Sequence, residues 1–137
     1  MFDIWHIAIP VTNIEESISF YCDFLGFIFI GTDENHNKKQ AFIKTPGGNM
    51  SIELFIESNS INKKMPDHIA FECDDIETYI NKLKSKNATI PTHLNSYDNG
   101  VRFFSLIDPQ GIPLHFFKGR KLYEDSLIPS LRRAREV

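Results

Sequence analysis

The feature that most constrains this fold is an internal repeat. His6-Ile7-Ala8-Ile9-Pro10-Val11-Thr12-Asn13-Ile14-Glu15 aligns without gaps on His68-Ile69-Ala70-Phe71-Glu72-Cys73-Asp74-Asp75-Ile76-Glu77, an offset of 68 − 6 = 62 residues. The same offset lays Ser51-Ile52-Glu53-Leu54-Phe55 over Pro113-Leu114-His115-Phe116-Phe117. Two matches at one spacing in a chain of 137 residues mean two copies of one structural unit.

Each copy reads β-α-β-β-β. In the first, Ile4 to Val11 alternates as a strand, and Thr12 or Asn13 then caps a helix with Glu15 and Glu16 placed for a capping box. Ile14, Ile18, Tyr21 and Leu25 form one apolar stripe, and Gly26 closes the helix. Strands are expected at Phe27 to Gly31, Gln40 to Lys44 and Met50 to Ile56. The second copy predicts a strand at His68 to Cys73, a capping box from Asp74 and Glu77, and a helix face of Ile76, Tyr79, Ile80 and Leu83. Strands at Thr89 to Leu94, Val101 to Ile107 and Ile112 to Phe117 follow, the last after the turn Asp108-Pro109-Gln110-Gly111. The expected organisation is one α+β domain over residues 1–118, built of modules at about 1–58 and 65–118. An extension over 119–137 carries a short helix expected at Leu127 to Val137.

A domain of this length can bury enough surface to be stable without a disulfide or a metal. No apolar run approaches the roughly 20 residues needed to cross a bilayer, so membrane insertion is not expected. The N-terminus lacks a basic stretch followed by an apolar one, so no signal peptide is expected. Cys22 and Cys73 read as small buried apolar residues of a protein in the reducing cytoplasm. A net charge of −3 offers no footprint for nucleic acid. There is no glycine-rich phosphate loop, no Gly-x-Ser-x-Gly elbow and no CxxC motif. What stands out is 12 Phe with 5 His, which are rigid apolar rings and metal-ligating groups.

Strand alternation decides which of these share a face. Ile52, Leu54 and Ile56 suit a helix-covered face, which leaves Glu53 on the other with Ser51 and Phe55. Leu114 and Phe116 likewise leave His115 opposite with Pro113 and Phe117. Ile7 and Ile9, then Ile69, Phe71 and Cys73, mark core faces, so His6 and His68 project away beside Ala8 and Ala70. If the sheet curves, His6, Glu53, His68 and His115 converge in one concavity. Imidazole and carboxylate groups suit Zn, Ni, Co, Mn or Fe(II). Each residue also has a plainer reading: Glu53 could be offset by Lys44 or Arg102, and His115 could simply line a pocket. His36 reads as solvated surface, His93 as structural, and Arg132, Arg133 and Arg135 as a solvated face or subunit contact.

The segments 5–11, 17–27, 52–55, 67–71 and 108–115 together resemble the vicinal oxygen chelate superfamily, over about residues 1–118. That superfamily includes glyoxalase I, methylmalonyl-CoA epimerase, fosfomycin- and bleomycin-resistance proteins and extradiol dioxygenases. The resemblance implies two βαβββ modules in a curved mixed sheet around a metal-binding cavity, with ligands from the first and last strand of each module. Carried over by position, the ligands are His6, Glu53, His68 and His115. The first three match glyoxalase I. The fourth departs from it, since the family usually carries Glu after Asp-Pro-x-Gly. Glu53 is then the one carboxylate of the set and the expected general base. The loss of a negative charge makes the metal a stronger Lewis acid, and it removes the last-strand carboxylate usual in the Fe(II) dioxygenases.

The resemblance implies a metal-dependent lyase or isomerase that forms an enediolate from a small-molecule substrate with adjacent oxygens. Phe55, Arg102 and Phe117 are expected to line its pocket. Two other readings are a non-catalytic, antibiotic-like binding protein that stacks its ligand on Phe55 and Phe117, and an Fe(II) dioxygenase. A homodimer is expected, with modules paired within one chain or across two.

Overall fold

In the computed structural model, which describes residues 1–33, 39–56, 65–87, 89–90 and 94–127, both copies of the repeat follow one plan. The first runs β1 (His6–Val11), α1 (Ile14–Ile18) continuing into a π-helical stretch (Ser19–Phe24), β2 (Ile28–Asp33), β3 (Gln40–Lys44) and β4 (Ser51–Ile56). The second runs β5 (Ile69–Glu72), α2 (Ile76–Lys86), β6 (Asn95–Ser96), β7 (Arg102–Ile107) and β8 (Pro113–Lys118). A further helix, α3 (Arg120–Ser126), follows. The strands form two four-stranded mixed sheets of equivalent order, β1-β4-β3-β2 and β5-β8-β7-β6, in an α+β fold. The helices, β3 with β7, and β4 with β8 all begin at the spacing of the repeat.

Local chemistry sets the element ends. Asn13 caps α1, its side chain accepting from the Glu16 amide at 3.0 Å, while Glu15 pairs with Lys39. The helix widens where the Leu25 amide donates to the Phe20 carbonyl five residues back, at 2.9 Å. The buried stripe differs from the expected one at one place: Ile14, Ser17, Tyr21 and Leu25 are buried and Ile18 is only half-buried. Gly26, at φ +86°, supplies the left-handed residue that ends it. In α2 the cap is Asp75 rather than the expected Asp74. Asp75 has non-helical backbone and accepts from the Thr78 amide at 3.2 Å, and Ile76, Ile80 and Leu83 turn inward.

By Cα packing the chain divides into two units, Met1–Ile69 with Ile107–Leu114, and Ala70–Leu106 with His115–Val137. In the first, β1 runs parallel to β4, β3 antiparallel to β4, and α1 packs on β3 and β4. Their interface is the core: Ile9, Val11, Ala41, Ile43, Ile52 and Leu54 are all buried. Ile7, expected in this layer, is 44% exposed, lying toward the start of β1, whose buried face begins at Ile9. The other edge, β2, has a register shift between Phe29 and Gly31, an irregularity of the kind that blunts a sheet edge.

The same unit holds the Asp108-Pro109-Gln110-Gly111 turn. Asp108 accepts from the amides of Gln110 and Ile112 through Oδ1, both at 2.8 Å, and from the Tyr21 hydroxyl through Oδ2 at 2.7 Å. Gln110 reaches Thr12 at 3.1 Å. In the second unit, Phe71, Tyr79, Phe104 and Phe116 pack ring on ring between α2 and the sheet.

Some expectations met a different structure or fell outside it. The expected strand Thr89 to Leu94 lies partly outside the described residues, and the short β6 follows it. Of the expected helix 127–137 only Leu127 is described, as the C-cap of α3, which was not expected. His36, His93, Arg132, Arg133 and Arg135 lie outside the described residues. No helix among the described residues is long and apolar enough to cross a membrane.

Candidate functional site

Register builds the site. Parallel pairing sets His6 beside Ser51 and Ala8 beside Glu53, and antiparallel pairing sets Phe42 beside Glu53 and Gln40 beside Phe55. Paired residues share a face, so His6, Gln40, Phe42, Glu53 and Phe55 all lie opposite the helix-covered side. Small Ala8 between His6 and the end of β1 keeps that face open next to Glu53.

His6 Nε2 stands 3.3 Å from Glu53 Oε2, and the Gln40 amide donates to Glu53 Oε1 at 2.5 Å. Glu53 is only 9% exposed. A buried carboxylate without partners would cost several kcal/mol, and the Gln40 donor, with the His6 ring beside the other oxygen, offsets that cost. The partners are therefore His6 and Gln40, whereas the sequence had offered Lys44 or Arg102. The imidazole is framed edge-on by Trp5 at 4.4 Å and Phe42 at 5.5 Å between ring centroids. Its Nδ1 is buried with no hydrogen-bond partner among the described residues.

The pair suits a divalent cation. Two donors each about 2.1 Å from one ion, at angles of about 90 to 110°, stand about 3.0 to 3.4 Å apart, which matches the 3.3 Å seen here. An imidazole nitrogen with a carboxylate oxygen is also the donor chemistry that such ions take. Among the described residues, no three His, Cys, Asp or Glu side chains form a group that could hold a metal.

The other two expected ligands are placed separately. His68 is exposed in the first unit, its Nδ1 2.8 Å from Asp67 Oδ2. His115 is half-buried in the second unit, its Nδ1 at 2.5 Å from Ser105 Oγ across β7 and β8. Each of these contacts restrains the orientation of its ring. Ser105 and Gln40 were not singled out in the sequence. Alternation would have revealed both, since each sits on the same strand face as the residue it contacts.

Of the expected pocket residues, Phe55 shares the face of Glu53. Phe117 stacks on Phe103 with centroids 5.3 Å apart, and Tyr97 and Tyr123 continue this aromatic surface at 4.8 and 6.4 Å. Arg102 belongs elsewhere: it shares its strand side with buried Phe104 and Leu106 and pairs with Glu77 of α2. A cation partway along a strand looked available for a substrate, but helix α2 supplies its counter-charge.

Away from the site, burial first and then the hydrogen bond to Asp108 push the Tyr21 phenol well above its ordinary value. Burial does the same to Tyr79. Both free thiols are raised, chiefly by burial and then by neighbouring aspartates, Asp23 for Cys22 and Asp74 for Cys73.

Comparison with known proteins agrees with this architecture. Residues 3–116 match the model of the Glyoxalase/Bleomycin resistance protein/Dioxygenase superfamily. The uncharacterized protein YaeR of Escherichia coli K12 is 31% identical over 128 residues, covering 84% of this chain and 95% of that protein. A superfamily member from Sphaerobacter thermophilus superposes with TM-score 0.72 at 20% identity, covering 87% of this chain and 98% of the other. TnmS3, an antibiotic binding protein from Streptomyces sp. CB03234, superposes with TM-score 0.67 at 14% identity, covering 86% and 96%.

Proposed function

The chain belongs to the Glyoxalase/Bleomycin resistance protein/Dioxygenase superfamily, and on that premise we propose that it is a metal-dependent lyase or isomerase of glyoxalase I type. Its substrate is a small molecule presenting two adjacent oxygens. The observation that carries this reading is the buried Glu53 with His6 at 3.3 Å, a donor pair at the spacing of a shared cation. In this reading residues 1–118 are the working domain, and His6 and Glu53 would hold a divalent transition ion. Once bound, the ion polarises the substrate's paired oxygens and acidifies the carbon beside them.

Glu53 would then serve as general base, its Oε2 loosening from the ion to take the proton from that carbon. Its place on the open sheet face beside Ala8, largely out of bulk water, suits this role. His6 holds position between Trp5 and Phe42, and Phe55, on the face of Glu53, gives the substrate an apolar wall. The reading carries with it a homodimer in the cytoplasm, in keeping with two free thiols.

Metal analysis of protein purified without chelator tests the first half, and absence of metal together with no uptake on titration would refute it. Solvent-deuterium incorporation beside the carbonyl of α-hydroxycarbonyl compounds tests the second. Glu53→Gln should slow that exchange by about 10²- to 10⁴-fold, and a variant with undiminished exchange refutes the base assignment.

A second reading, a non-catalytic protein that binds flat small molecules, is favoured by the half-exposed aromatic surface of Tyr97, Phe103, Phe117 and Tyr123. The antibiotic-binding TnmS3 shares this fold. Tight ligand binding without metal uptake or exchange would decide for that reading.

A further inference from the structure

We propose that Gln40 is a positioning residue that fixes how Glu53 is presented, by holding one carboxylate oxygen and leaving the other for the ion. This inference rests on the metal-site reading above.

Gln40 lies on β3 opposite Phe55, one step diagonally from Glu53 on the same sheet face. Its amide donates to Oε1 at 2.5 Å, while Oε2 faces His6 Nε2 at 3.3 Å. With one oxygen occupied, Glu53 offers a single oxygen on the His6 side. Glu53 would then hold the ion through that one atom, and the ion would supply Lewis-acid polarisation to a substrate with two oxygens. β3 lies between β2 and β4, so the amide is carried on a paired interior strand rather than on a loop.

The choice of an amide also has a chemical reason. A lysine or arginine at position 40 would hold the same oxygen but would cancel the charge that attracts a cation and repel the cation itself. A neutral donor orients Glu53 and leaves its full negative charge available. Side chains hydrogen-bonded to metal ligands typically contribute about 10- to 100-fold in metal affinity.

The experiment uses the full chain without an affinity tag, stripped of metal and titrated with Co²⁺ by calorimetry and visible absorption. Gln40→Met keeps the length and removes the donor, and Gln40→Asn keeps an amide that is one methylene too short. Both should bind Co²⁺ about 10- to 100-fold more weakly than the parent, with altered visible bands. Thermal unfolding of the metal-free protein should fall in both variants, because buried Glu53 loses a donor, so affinity and bands carry the test. A residue with only a structural role would lower that transition and leave affinity and bands alone. If Gln40→Met loses its cooperative unfolding, Gln40→Asn carries the test. Parental affinity in a folded variant overturns the inference alone, whereas a parent chain that takes up no Co²⁺ overturns the metal reading and this inference with it.

Discussion

Replacing Tyr21 by Phe isolates one atom of the network that holds the Asp108 turn. The ring keeps its buried position, and the only loss is the hydroxyl that donates to Asp108 Oδ2 at 2.7 Å. Asp108 is 5% exposed, so water cannot fully replace that donor. A hydrogen bond to a charged acceptor contributes about 1.5 to 3 kcal/mol. The amides of Gln110 and Ile112 still hold Oδ1, so the turn survives and the cost should stay near 2 kcal/mol, short of a complete loss of the buried carboxylate's partners. At roughly 4 °C per kcal/mol for a chain of this size, Tm should fall by about 8 °C. Urea unfolding followed by circular dichroism at neutral pH measures it, and the midpoint should move without a change in slope. Asp108→Asn and the double variant complete a cycle whose coupling should exceed about 0.5 kcal/mol. A Tyr21→Phe protein within about 0.5 kcal/mol of the parent would refute the claim that this hydroxyl holds the turn.

Ser17 has a buried hydroxyl with no partner among the described residues, so Ser17→Ala should stabilise the protein by about 0.5 to 1 kcal/mol, read as a rise in Tm. The Tyr21 and Tyr79 phenols are raised, so the folded state holds these protons more tightly than the unfolded chain does. Their stabilisation is therefore complete below about pH 10 and is lost as the pH climbs above it. Tyrosinate absorbance of the two should appear together with unfolding, and ionisation of both in a still-folded protein would contradict this. Cys22 and Cys73 have raised thiol pKa values, so iodoacetamide should label them more slowly at neutral pH than a free thiol, with the rate rising in alkali.

The repeat was legible because it is written in residue types that local rules can read. Helix starts, strand alternation and the Asp-Pro-Gln-Gly turn depend on neighbours a few residues away. The two helices therefore begin where the repeat places them, at Ile14 and Ile76. What local rules missed was also local in scale but not in cause. The π stretch at Ser19–Phe24 accompanies burial of Tyr21, which reaches Asp108 far along the chain. Ile7 follows the core pattern yet is exposed, because how far the covered layer extends along β1 is a property of the packing and not of the strand. Arg102 looked free for a substrate until α2 placed Glu77 against it.

By itself, then, the sequence determined that the chain is two βαβββ copies, that His6 and Glu53 share a strand face, and that this face looks away from the helix. These follow from periodicity, which each strand carries alone. Only the tertiary structure decided that His6 Nε2 and Glu53 Oε2 stand 3.3 Å apart and that Gln40 is the donor completing the carboxylate's partners. The reason is physical. Alternation says which side a residue points to, but the register between β1, β4 and β3 says which residues meet. Register is set by hydrogen bonds between strands distant in sequence.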